Sequence, residues 1–436
     1  MVTTAFVKIW RETVGAVVWQ PERGLATFEY DPAFLRTQWE LSPLKMPLNP
    51  GRRIFEFPEL RKGPNEPYDA FKGLPGMLAD VLPDRYGNQL INIWLARNGR
   101  AENSMNPVET LCFIGYRGMG ALEFEPAKFQ AGARTFSVEV DQLVDIARQM
   151  LNDRESFAIE IDHSHDEQAI REILRIGTSA GGARPKAVIA YNDKTQEVRS
   201  GQTRVPKGFE HWLIKLDGVS DVQLGATQGY GRVEMAYYLM ATSCGIDMMP
   251  CRLLEENGRA HFMTKRFDRE GADTRHHMQT FCAMKHFDYN EVTSYSYEQL
   301  FQTMRELKLT YPEAEQMYRR MVFNVLARNC DDHTKNFAFL MKKDTAKWTL
   351  APAYDICHAY RPNSQWVSQH ALSINGKRKN ITQADFLTIA EAMNIRKAEE
   401  IIQEVNDTVK EWERFANEAG VASDLKRAIG ETLATQ

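Results

Sequence analysis

The chain has 436 residues, 43% of them hydrophobic and 26% charged, and its 54 Lys and Arg stand against 58 Asp and Glu for a net charge of −4. That composition lies well outside the disordered range, and so even a charge balance supplies no whole-chain field to draw in a polyanion, so any nucleic-acid contact must be local. The length exceeds the roughly 250–300 residues that one core usually serves, which predicts two or three packed units.

The first residues lack a basic lead ahead of a sustained apolar run, and charges interrupt them at Lys8, Arg11 and Glu12. No later segment reaches the ~18 uninterrupted apolar residues needed to span a bilayer, so the expectation is a soluble cytoplasmic protein with no membrane partner. Strand text comes first: Phe6 to Trp10, Val14 to Trp19, the turn Pro21-Glu22-Arg23-Gly24, then Ala26 to Tyr30, which together read as a β-meander. Leu74 to Gly99 reads as helix, with Leu90, Ile93 and Trp94 on one face and Asn98-Gly99 as the stop, and Phe113 to Phe124 returns to strand. Residues 1–150 are therefore expected to form an α+β domain with no catalytic signature of its own.

Residues 151–267 should be strand-rich, with Lys186 to Tyr191 and His211 to Leu216 the clearest strands and a helix over Val233 to Ser243. Residues 268–436 turn helical. Met317, Met321, Val325 and Leu326 stripe the segment Glu313 to Arg328, and Ile401, Val405, Val409 and Trp412 stripe Arg396 to Phe415, both as core faces. The cysteines Cys112, Cys244, Cys251, Cys282, Cys330 and Cys357 contain no Cys-x-x-Cys pair, which argues against a zinc site or a disulfide framework.

The densest chemistry is Asn329-Cys330-Asp331-Asp332-His333-Thr334-Lys335-Asn336-Phe337, between the end of a predicted helix and the predicted strand Phe337 to Met341. Asp355 follows a predicted hairpin that turns at Lys342-Lys343-Asp344-Thr345, which would bring it back beside Asn336. Asn336 and Asp355 could then offer oxygens to one Mg²⁺, with Asp331 as base, the layout that kinases use. A hydrogen-bonded loop without chemistry is the plainer alternative for the run, and a turn residue is the plainer reading of Asp355 alone.

A kinase also needs a lysine on a strand for the nucleotide phosphates, and Lys215 stands among apolar neighbours, with Glu234 on the next helix as its partner. The alternative is a strand-edge lysine that reaches for water. The stretch Gly177 to Lys186 is small and Gly-rich, so its backbone N–H groups can approach phosphate, although such a stretch is more often an ordinary turn.

Taken together these pieces resemble the HipA family of serine/threonine kinases, the toxins of bacterial toxin–antitoxin pairs. The family's N-x-D-x-H-x-K-N-F signature stands at Asn329 to Phe337, its Y-D metal motif at Tyr354-Asp355, and its S-x-x-G-x-x-x-K loop at Ser179 to Lys186. Lys265-Arg266-Phe267-Asp268-Arg269 is similar to its adenine-facing hinge, and Val14-Gly15 through Tyr30 with Leu82-Pro83-Asp84 to its N-terminal domain.

The resemblance implies α+β architecture, with a small antitoxin-facing N-terminal β-meander and helix domain ahead of a two-lobed, protein-kinase-like catalytic domain. It implies ATP and Mg²⁺ as cofactors, with Asp331 as catalytic base and Asn336 and Asp355 on the metal. Gly181, Gly182, Ala183, Arg184, Lys186, Lys215, Lys265, Arg266, Phe267, Asp268, His333, Lys335, Tyr354 and the two metal ligands would bind ATP. Ser179 would be the self-phosphorylated serine.

The same resemblance implies a HipB-like helix-turn-helix antitoxin, operator DNA met mainly through it, and a protein substrate, an aminoacyl-tRNA synthetase in the family, whose phosphorylation inhibits growth. Lys377, Arg378 and Lys379 fall in the region that lies near operator DNA, although three cations neutralise few phosphates and a solvated basic loop explains them equally. Arg184-Pro185 replaces the family's Gln-Glu pair, and Asp332 fills a position often held by Gly. A small-molecule kinase would keep the same Asp, Asn and Asp. A non-enzymatic co-repressor acting with the antitoxin would be expected to lose one of them, and none is lost.

Overall fold

The computed structural model describes residues 2–63, 69–127, 137–152, 177, 184–201, 204–219 and 229–435. Its architecture is α+β. The strands β1 (Thr4–Ile9), β2 (Glu12–Gln20) and β3 (Leu25–Tyr30) form the meander, and β4 (Ile54–Phe55) and β5 (Leu122–Glu125) complete an antiparallel sheet in the order β4-β3-β2-β1-β5. Alternation along β1 sends Ala5, Val7 and Ile9 into the core and leaves Phe6 exposed, as a sheet covered on one face requires.

The segment expected as one helix from Leu74 to Gly99 is two, α1 (Gly76–Ala79) and α2 (Arg85–Arg97). Pro83 has no N–H to donate, and Asp84 takes an extended backbone so that its Oδ1 accepts from the Gly87 N–H and caps α2. The return to strand also comes later than the pattern suggests, because Asn106 caps a helix α3 (Pro107–Ile114) first. The helix α4 (Val140–Asn152) closes this part of the chain.

A second antiparallel sheet holds β6 (Lys186–Tyr191), β7 (Val198–Ser200), β8 (Glu210–Lys215), β9 (Cys251–Glu256) and β10 (Arg259–Lys265) in the order β7-β6-β8-β10-β9. Between β8 and β9 runs α5 (Tyr230–Ser243). Gly231 lets α5 lie against β10, since a Cβ there would stand 2.0 Å from the Ala260 carbonyl oxygen. Tyr86 and Leu90 of α2 and Val140, Leu143 and Val144 of α4 pack with Ala187, Ile189, Trp212 and Ile214 in one core.

Beyond residue 268 a three-stranded sheet of His277–Thr280, Ala338–Met341 and Trp348–Leu350 leads into helices. The central one, Tyr311–Leu326, starts on a Thr310–Glu313 capping box and buries everything from Arg320 to Leu326. The stripe from Arg396 to Phe415 is split into Ala398–Lys410 and Trp412–Glu418 at Glu411, whose non-helical backbone lets Trp412 Nε1 reach the Lys426 carbonyl.

The N-terminal domain grips the rest of the chain through a buried ionic cluster and tryptophan hydrogen bonds nearer the surface. Asp268, fully buried just after β10, accepts from Arg266, from Arg269 Nη1 at 2.7 Å and from the Gly120 N–H at 2.6 Å. Gly120 sits at φ +76°, a conformation that a side chain would oppose. Burial would raise the Asp268 carboxyl, but the two arginines hold it well below the ordinary range. Trp10 Nε1 donates to Arg275 O, Trp348 Nε1 to Glu40 O, and Trp39 Nε1 to Lys343 O. Asp268→Ala leaves two arginines buried without their counter-ion, so it should cost about 3–5 kcal/mol of stability by chemical denaturation. A loss under about 1 kcal/mol, the range of an exposed pair, would show that this clamp is not a determinant of the fold.

Candidate active site

The catalytic-loop candidate begins where the helix Tyr311–Leu326 ends, with Arg328 at φ +54° turning the chain and Asn329 Nδ2 donating to Asn324 Oδ1 at 2.9 Å. Asp332 anchors the loop from beneath. It is fully buried and accepts from Tyr297 Oη at 2.9 Å, the Ala371 N–H at 2.8 Å and His370 Nδ1 at 3.0 Å. Thr334 Oγ1 donates to Phe287 O, and His333 caps the short turn Thr334–Asn336. Asn336 Nδ2 donates to the Asp331 carbonyl at 2.7 Å, which closes the loop on itself.

These anchors leave the Asp331 carboxyl as the exposed group of the loop, 49% open, with His333 Nε2 at 3.8 Å from its Oδ1. The walls around it push its pKa up, and the Asp355 and Asp332 carboxylates add to that while His333 opposes it. A carboxyl so placed can take a proton from a hydroxyl group.

The hairpin Ala338–Met341 to Trp348–Leu350 returns the chain, Ala353 bridges to Met248, and Asp355 arrives in the left-handed region at φ +55°. Its Oδ1 meets the Lys215 ammonium, which also pairs with Glu234 of α5. Burial would raise the Asp355 carboxyl, but Lys215 and Lys186 hold it well below the ordinary range, and Lys215 is raised in return against its own burial. Lys186 is the register partner of Lys215 across β6 and β8, is 3% exposed, and is lowered by that burial. Asn336 and Asp355 line one small cavity. An ionised carboxylate beside an amide oxygen is a donor set suited to a hard cation such as Mg²⁺, so the residues fit the metal.

Around this centre Arg184 stacks over the Tyr230 ring at 4.5 Å, and Lys335 over the Tyr289 ring at 5.2 Å. Tyr354 Oη donates to Lys335 O at 2.8 Å, and its ring meets Phe267 at 5.4 Å. In the hinge segment Lys265 pairs with Glu210 at the surface, while Arg266 and Asp268 bind each other in the interior. Lys377 pairs with Asp385 at 2.8 Å, and Arg378 donates to the carbonyls of Ala371, Tyr295 and Val292, while Lys379 is exposed. Ser179, Gly181, Gly182 and Ala183 lie outside the described residues.

Three groups at the site went unread in the sequence. Asp84 was read inside one continuous helix and in the Leu82-Pro83-Asp84 resemblance, and nothing marked it as a carboxylate 3.9 Å from Lys186. Asp80 accepts from both the N–H and Oγ1 of Thr280 beside Lys335. His370 is far in sequence from Asp332, and no spacing pattern marks the pair. Burial opposes the charge of His370, yet Asp332 outweighs it and lifts the imidazole from 6.5 to about 10. The pair's contribution to stability is thus complete below about pH 6.5 and is lost as pH rises through about 10. Thermal unfolding of the native protein and Asp332→Asn between about pH 6 and 10 should show a deficit in the variant that shrinks toward high pH. A deficit independent of pH would exclude the charged pair.

Comparison with known proteins assigns both parts of the chain. Residues 5–125 match the HipA N-terminal domain and residues 178–412 the HipA-like C-terminal domain. A Sinorhizobium fredii protein described as "Putative kinase Y4mE" is 24% identical over 210 residues, 45% of this chain and 43% of that protein, so the chain matches less than half of this curated relative's length. Among solved structures, HipA in the Shewanella oneidensis MR-1 complex of HipA, HipB and operator DNA superposes with a TM-score of 0.67 at 14% identity. The match covers 98% of this chain and 94% of that one, which establishes the shared fold. Among the described residues, no helix is long and apolar enough to cross a membrane.

Proposed function

The chain belongs to the HipA family, and from that premise we propose that it is an ATP- and Mg²⁺-dependent protein serine/threonine kinase, a cytoplasmic toxin restrained by a helix-turn-helix antitoxin. The observation that carries the reading is the arrangement of Lys215 between Glu234 and Asp355, with the exposed Asp331 carboxyl on the adjoining loop. Lysine, glutamate, metal-binding aspartate and base are the parts that phosphoryl transfer requires, because the reaction depends on positioning and charge neutralisation more than on covalent chemistry. The kinase description of the Sinorhizobium relative supports the activity, and the presence of HipB and operator DNA in the Shewanella complex supports the partners.

In this reading Asp331 accepts the proton of a protein serine hydroxyl as its oxygen attacks the γ-phosphorus, and ADP leaves with the bridging oxygen. Lys215, held by Glu234, and Lys186 neutralise phosphate oxygens. Asn336 and Asp355 would hold Mg²⁺, which when bound supplies charge neutralisation on the β- and γ-phosphates. Asn336 has a second task, since its amide fixes the Asp331 carbonyl. The Asp332 anchor keeps the base from folding back onto its own loop. Hinge residues Lys265 to Asp268 would meet adenine through the backbone, and the Gly181 to Ala183 stretch would cover phosphate. Ser179, phosphorylated by a second molecule, would withdraw that stretch by charge repulsion.

Asp331→Asn preserves shape and the Asn336 contact to the backbone, so it should leave folding intact and cut phosphoryl transfer from ATP by about 10²–10⁴-fold in a radiolabelled transfer assay. Turnover near the native level in a folded Asp331→Asn protein would overturn the assignment. Asp355→Ala should abolish the Mg²⁺-dependent part of ATP affinity measured by calorimetry. Equal affinity with and without Mg²⁺ in the native protein would count against the metal site.

A further inference from the structure

We infer that Asp84 is a positioning residue for Lys186, so that the N-terminal domain supplies part of the nucleotide site; this rests on the kinase reading above. Asp84 is the cap of α2, and that task occupies one oxygen, Oδ1, which accepts from the Gly87 N–H at 2.8 Å. Serine or asparagine would cap equally well, so the charge is surplus to the helix. The other oxygen, Oδ2, is buried, has no hydrogen-bond partner, and stands 3.9 Å from the Lys186 ammonium, with the two side chains 6% and 3% exposed. An ionised oxygen shut away from water without a donor is costly, and a cation at ion-pair range is what offsets it.

Asp84 also answers a conflict of charge at Lys186, whose burial disfavours its ammonium while Asp84 favours it. Lys215 stands directly across the strand pair and repels it, while Glu234 and Asp355 both lie on Lys215. Asp355 would turn to a metal when nucleotide binds, whereas Asp84 lies outside the metal set and would stay beside Lys186. It plays toward Lys186 the part that Glu234 plays toward Lys215. Burial pushes the Asp84 carboxyl up to about 6, with Lys186 and Lys335 pulling against it, so the cations offset part of the cost of burial.

The location gives the pair its leverage. Residues 76–90 run from the helical part of the catalytic domain to its β-sheet. At one end the Gly76 N–H donates to His286 Nε2, and Asp80 holds Thr280; at the other Asp84 faces Lys186, and Tyr86 and Leu90 enter the core beneath β6. The height of Lys186 above the catalytic loop is therefore set by a segment anchored on both sides of the cleft.

The test is a double-mutant cycle of Asp84→Asn and Lys186→Met, read in ATP affinity, in kcat and KM, and in unfolding midpoint; Asp84→Asn and Asp84→Ser both retain a cap. Each of these two Asp84 variants should raise KM for ATP about tenfold, with a smaller change in kcat, and Asp84→Asn should add little once Lys186 is Met. ATP affinity unchanged in Asp84→Asn, or an effect that persists in full in the Lys186→Met background, would overturn the inference while leaving the kinase reading in place. Coupling in the unfolding midpoint without coupling in ATP affinity would also overturn it, since the pair would then be structural. A native protein that binds no ATP would end both readings at once, which separates that failure from the other two.

Discussion

Two lysines face each other across neighbouring strands, and the molecule is arranged around the need to make that tolerable. Lys186 and Lys215 are register partners at one end of the adjacent strands β6 and β8, and both are withdrawn from water. Like charges directly opposite in a sheet repel, and burial removes the solvent that would screen them. The compensating carboxylates come from three separate parts of the chain: Glu234 from α5, Asp355 from beyond the hairpin of the helical part, and Asp84 from the cap of α2. No single part is electrostatically complete. On the proposed kinase reading the cleft has to hold concentrated positive charge when empty, and surrounding it with carboxylates on independent elements is a way to do so without locking it.

The candidate catalytic loop rests on a second buried pair of different character. Asp332 and His370 are both shut off from solvent, and Tyr297 and the Ala371 N–H satisfy the remaining valences of the carboxylate. Breaking such a pair is expensive, while its net contribution is small, so its value lies in geometry. It fixes where the Asp331 backbone leaves the loop. The same strut extends outward through Arg378, which ties the carbonyl of Ala371 to those of Val292 and Tyr295. The basic run at 377–379 is therefore woven into the support of the loop, with Lys377 on Asp385 and Lys379 projecting.

Local signals in the sequence were legible where chemistry or periodicity acts over a few residues. The meander, β6 and β8, the helix before Asn329 and the hairpin before Asp355 all show in strand alternation, apolar stripes and turn residues. So did the Lys215 and Glu234 partnership, because a lysine amid apolar strand residues demands a carboxylate nearby. Helix breaks at Pro83 and Glu411 were hidden by apolar stripes that run on past them. Contacts such as Asp332 with His370 or Asp84 with Lys186 join residues whose spacing carries no period, and they emerge only when the elements pack. Asp332 was visible as a departure from the family's usual glycine, and the buried imidazolium opposite explains what that carboxylate binds.

The grip of the N-terminal domain on the rest of the chain has a consequence for biosynthesis. The Glu40 carbonyl waits for Trp348, 308 residues later, and Trp10 waits for Arg275, 265 residues later. At translation speeds of 5–20 residues per second, the interval between making Glu40 and making its partner is roughly 15–60 s. Through that time the inner face of the first domain has only water, or a chaperone, to satisfy it. Asp331, Asn336 and Asp355 are themselves among the late arrivals, so the nascent chain completes its structural seam and the proposed catalytic set in nearly the same moment. Long-range closure of this kind is slow, and it gives any partner that recognises the first domain a window to bind before the cleft exists.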